Sequence, residues 1–84
     1  MPEISRFFGI VVAIFLRHSE HCPPHFHARY NKHSVEVNID TLEVVAGEFP
    51  PRALNRLKKW AKQHQPELRE IWETQKFKRI EPLK

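Results

Sequence analysis

The run FFGIVVAIFL, residues 7–16, constrains the fold more than any other part of this 84-residue chain. Read as one strand bent at Gly9, it shows two alternating faces: Ile10, Val12, Ile14 and Leu16 on one, Val11, Ala13 and Phe15 on the other. Both are apolar, whereas a strand buried on one side only alternates with polar residues. Such a strand needs cover on both sides, expected from helices on one and a second copy of the chain on the other. The run is too short to cross a bilayer, which takes about 20 apolar residues. Arg6 precedes it as a signal-peptide charge would, but Arg17 and His18 follow at once without a small-residue cleavage pattern, so a buried strand is the better reading. A chain of this size hides only about 60–65% of its unfolded surface, which makes homo-oligomerisation or a partner a reasonable expectation.

Downstream the alternation is of period two. Phe26, Ala28 and Tyr30 oppose His25, His27 and Arg29; Val35, Val37 and Ile39 oppose Glu36, Asn38 and Asp40; Leu42, Val44 and Ala46 share a last face that ends at Gly47. Brief connections between short strands predict an antiparallel meander. Pro50-Pro51 then opens a helix, where proline suits the first position. Ala53, Leu54, Leu57, Trp60, Ala61 and His64 follow helical spacing. A second helix begins at Pro66, with Glu67 and Glu70 placed favourably for the helix dipole and Leu68, Ile71 and Trp72 facing inward. The predicted architecture is α+β: one domain over 1–84, with a sheet of about four antiparallel strands over 10–47, two C-terminal helices over 51–78 packed on one face, and an extended tail over 79–84.

Charge is divided unevenly. Before Phe49 there are four basic residues against six acidic ones, net −2; from Phe49 onward there are ten against four, net +6. A polyanion such as RNA is the partner this suggests. Its contacts would be Arg52, Arg56 and Lys59 on one helix flank and Lys76, Lys78 and Arg79 in the tail. The bland alternative is a solvated helix surface. A single cysteine excludes an internal disulfide framework and fits a reducing cytosol.

The stretch HSEHCPPHFHARYNKH, residues 18–33, holds five of the six histidines. His25 and His27 lie at i and i+2, on one strand face, with Cα atoms about 6.5–7 Å apart. With His21 upstream they form a candidate divalent metal site, three imidazoles with a water completing zinc. If the β-turn is Lys32-His33 or Asn31–Ser34, Arg29 falls opposite Glu36, His27 opposite Asn38 and His25 opposite Asp40. That face could do acid–base chemistry, with His25 and His27 as the acid–base pair, Asp40 orienting His25, and Arg29 holding a phosphate. The alternative is a hydrogen-bonded polar sheet face with no chemistry and no cofactor.

PEISRFFGI, HCPPHFHARY, FPPRAL and KRIEPL together resemble, over nearly the whole chain, a family of small bacterial and archaeal proteins, domain of unknown function 4160. His21, Pro23, Pro24, His25, Phe26 and His27 match its fixed positions, whereas His18, Cys22 and His33 fall where the family varies. The resemblance implies no activity. It implies a neighbouring gene for a second small protein, of domain of unknown function 2442, an arrangement like a toxin–antitoxin pair. Two functions stay open: a partner-bound, toxin-like protein that binds or acts on RNA or phosphate, and a non-enzymatic interaction module whose histidine corner is structural or holds a divalent metal.

Overall fold

The computed structural model describes residues 3–15 and 23–84. His18, His21 and Cys22 lie outside the described residues, and so does the expectation that His21 is a metal ligand. The elements are β1 (Glu3–Phe7), β2 (Ile10–Ala13), β3 (His25–Tyr30), β4 (His33–Asn38), β5 (Val44–Glu48), α1 (Pro51–Gln63) and α2 (Gln65–Thr74). The strands form one antiparallel meander in sequence order, β1-β2-β3-β4-β5, followed by the two helices. The fold is α+β, as the periodicities predict.

The apolar run is two strands rather than one. Phe8 and Gly9 take φ of 49° and 80° and turn the chain back on itself. Positive φ at both central residues is the signature of the type I′ hairpin turn. A Cβ added at Gly9 would lie 3.2 Å from the Tyr30 ring. The sheet therefore has five strands and begins at Glu3, so that Ile4, Ser5 and Phe7 are buried beside β2.

At the other edge, Gly47 lies inside β5 instead of ending it. Its φ is 77°, and a Cβ there would collide with the Ser34 carbonyl oxygen. A bulge lets Ala46 face Glu36 while Val44 faces Val37, which leaves Val45 between them exposed.

One face of the sheet carries the core. Ile10, Val12, Phe26, Ala28, Val35 and Val37 meet Ala53, Leu57, Trp60, Ala61, Leu68, Ile71 and Trp72 from the helices. Tyr30 and Leu54 sit at its margin, partly buried. Trp60 is fully buried, with Phe7 at 5.3 Å and Phe26 at 6.1 Å between ring centroids. Its indole N–H donates to the Glu81 carbonyl at 2.8 Å. The tail is thus docked: Ile80 is buried, its N–H donates to the Ile4 carbonyl at 2.7 Å, and Arg79 pairs with Glu3 at 3.0 Å. It covers part of the β1 edge, a common protection against unwanted strand pairing. Among the described residues, no helix is long and apolar enough to cross a membrane.

Trp60→Ala should lower unfolding free energy by about 3–5 kcal/mol, measured by denaturant titration. The Glu3 pair makes a separate prediction. Arg6 and Arg79 lower the Glu3 carboxyl from 4.5 to about 2. Below about 4.5 the unfolded chain takes up a proton that the folded chain resists, so the stabilisation is complete above that pH and is lost as pH falls towards about 2. Melting temperature measured from pH 5 to pH 2 should therefore fall less steeply in Glu3→Gln than in the wild type.

Candidate metal centre

The β3–β4 turn is Asn31-Lys32, with Asn31 in the left-handed region at φ 54°. Tyr30 faces His33, and from there the register places Arg29 opposite Ser34, His27 opposite Glu36 and His25 opposite Asn38. This differs by two residues from the register inferred from sequence. Side-chain faces survive a shift of two, because strands repeat every second residue, but partners do not. Glu36, expected opposite Arg29, meets the histidines instead. Asp40 leaves them altogether: its carboxylate accepts from Arg69 at 2.7 Å, and Gln65 donates to its backbone carbonyl at 3.1 Å. Asp40 therefore does not orient His25. It ties the β4–β5 connection to α2.

On the face away from the core, one row crosses four strands: Ala13, His27, Glu36, Ala46. The small side chains at both ends leave open a cavity of about 280 Å³ above the central pair. Val11, Phe15, Arg29 and Ser34 also line it. Arg29 thus shares the lining of this cavity with His27. Phe15 meets the His27 ring edge-on at 4.3 Å. The apolar outer face inferred for the N-terminal run is here the wall of this cavity.

His25 is held from two sides. Trp72 lies 5.2 Å from its ring, and its Nδ1 lies 2.8 Å from the Pro23 carbonyl oxygen. A carbonyl only accepts, so Nδ1 carries the hydrogen and donates. In the neutral ring, Nε2 then presents a lone pair, and it faces Glu36 Oε1 at 3.5 Å. That is longer than a charge-assisted hydrogen bond, about 2.7–2.9 Å. His25, His27 and Glu36 each offer one ligand atom within 4.8 Å of the other two. Burial lowers the His27 pKa below its ordinary value; Glu36 opposes this and His25 reinforces it. His27 is thereby favoured in its neutral, ligand-competent form.

The basic residues proposed for RNA fall in two groups, Arg52, Arg56 and Lys59 on α1 and Lys76, Lys78 and Arg79 in the tail. Lys78 reaches Glu70 at 3.6 Å, Arg79 is held by Glu3, and Arg56 lies 4.3 Å over the Phe8 ring. Arg52, Lys59 and Lys76 are exposed.

Glu36 is the site residue that strand alternation alone did not assign. The signal for it was Asn31. A two-residue turn headed by a residue that tolerates positive φ sets this register.

The fold and this face define a small α+β protein with a five-stranded meander that presents two histidines and a carboxylate on its open side. The model of the domain of unknown function family DUF4160 matches residues 9–73, and the chain belongs to that family. Neither curated proteins nor solved structures show a match to the chain.

Because Glu36 is the group that raises the His27 pKa, Glu36→Gln should move His27 titration to still lower pH, followed through the imidazole signals by NMR. Asp40→Asn should leave that titration where it is.

Proposed function

We propose that this chain is a divalent-metal-binding module of the zinc class, with His25, His27 and Glu36 as protein ligands. The observation that carries the reading is the gap between His25 Nε2 and Glu36 Oε1, 3.5 Å. Two ligands on a tetrahedral ion with bonds of about 2.1 Å stand about 3.4 Å apart, so an ion fits between these atoms. The Pro23 carbonyl supports it, since metal-bound histidines usually donate their second N–H to such an acceptor. Three protein ligands would leave one coordination position for water or an anionic ligand. Such an ion would act as a Lewis acid there and lower the pKa of a bound water.

The second reading is that the same face binds phosphate or RNA, as part of a two-gene, toxin-like module in the cytosol. Arg29 in the cavity wall favours it. The loss of Asp40 from the face removes the carboxylate that the acid–base form of this reading relied on. A partner of the domain of unknown function 2442 type, or a second copy, is a separate proposal that co-purification and light scattering test.

Native mass spectrometry of the purified protein with one equivalent of zinc should show a 1:1 complex. His25→Ala, His27→Ala and Glu36→Gln should each weaken it by tenfold or more, while His33→Ala leaves it intact. Binding that survives the loss of His25 and His27 together would sink the proposal. If zinc does not bind but inorganic phosphate does, and Arg29→Gln abolishes that, the second reading takes its place.

A further inference from the structure

Phe8 breaks two local rules at once. It occupies the first central position of a type I′ turn at φ 49°, where asparagine or glycine is preferred and a bulky side chain is strained. It also leaves half of its surface in water, 50% exposed. Neither turn formation nor core packing explains a phenylalanine here, since an Asn-Gly pair would make the same turn without strain. Backbone strain of this kind gathers at functional positions.

The surroundings of Phe8 say what it serves. The Arg56 guanidinium lies over its ring at 4.3 Å, which fixes where the basic flank of α1 sits relative to the turn. Arg52, Arg56 and Lys59 follow at i, i+4 and i+7, on one side of the helix, about 6 Å and then about 4.5 Å apart along its axis. Arg52 and Lys59 are exposed. α1 contains no Asp or Glu between Pro51 and Gln63, so nothing on the helix itself offsets this stripe. An exposed aromatic ring beside a cationic track is the arrangement that binds single-stranded nucleic acid, in which bases stack on the ring and phosphates follow the cations.

We infer that Phe8, Arg52, Arg56 and Lys59 form a binding surface for single-stranded nucleic acid, with Phe8 as the stacking platform. The surface is built independently of the histidine face. β3 runs from His25 at one end to Tyr30 at the other, and the Phe8-Gly9 turn lies beside the Tyr30 end. A duplex, whose bases are already stacked, should bind more weakly than a single strand.

The test uses the full chain, a fluorescently labelled single-stranded RNA twelve-mer and its duplex, at low ionic strength with a chelator present to silence any metal site. Phe8→Asn is the informative variant, because it relieves the turn rather than disturbing it. It should keep or raise the melting temperature and yet weaken single-strand binding about tenfold, within the range known for losing one stacked base. Phe8→Tyr should restore binding. Arg52→Gln combined with Lys59→Gln should lower the salt slope of log affinity by about 1.4, the value for two phosphate contacts on a single strand. No binding of the wild type, equal binding by Phe8→Asn, or tighter binding of the duplex overturns the inference. A drop in melting temperature for Phe8→Asn also overturns it, because Phe8 would then be a folding residue. If an acidic peptide or anionic vesicle binds through these residues while RNA does not, the surface belongs to another class of partner.

Discussion

The two-residue turn at Asn31-Lys32 decides which carboxylate meets the histidines, and most of the functional geometry depends on that choice. A hairpin has few ways to close tightly, and each one fixes the register of every pair behind it. With Asn31 taking the positive φ, His27 and Glu36 become directly opposed near the middle of the sheet. A longer loop would have brought Asn38 opposite His27 and Asp40 opposite His25, giving a different face from the same residues. The released Asp40 is used elsewhere, as an ion-pair partner for Arg69 that holds α2 against the β4–β5 connection. One backbone conformation thus separates a candidate-site carboxylate from a structural one.

The other end of the chain shows how a small domain makes up for a thin core. Trp60 receives Phe7 and Phe26 from the sheet and reaches across to the Glu81 carbonyl. Through that contact, and through the bond from the Ile80 N–H to the Ile4 carbonyl, the last residues close against the first strand. Part of the β1 edge is covered and the indole N–H is satisfied by the same segment. A buried indole without an acceptor would be costly, so the docked tail is part of the core rather than an appendage.

Period-two and helical spacing made the fold class, the inward faces of β3 and β4 and the buried stripes of both helices legible in the sequence. What stayed hidden has a common physical cause. Alternation says which face a residue occupies but not where a strand stops or which residue stands opposite. The run FFGIVVAIFL reads as one strand because phenylalanine carries no turn signal, and β1 was missed with it. Gly47 reads as a terminator because glycine weakens strands, whereas it is needed for the close approach of Ser34. In the site, His25, His27 and Arg29 were legible from their shared face. Glu36 falls to a different neighbour, because pairing depends on the turn conformation, which alternation does not encode and Asn31 alone signals.

Both candidate surfaces lie where the chain departs from what folding alone would select. At Phe8 a bulky ring takes a conformation suited to asparagine. At His25 the contact with the Pro23 carbonyl leaves Nε2 facing a carboxylate at 3.5 Å, beyond ordinary hydrogen-bond length. A domain with so small a core has little stability to spare for such departures. They are affordable in different ways: Phe8 because Arg56 covers part of its ring, His25 because Trp72 and the Pro23 carbonyl hold the imidazole in place whether or not an ion is bound. The histidine face is therefore organised without a ligand, so the proposed ion would bind it at a low ordering cost.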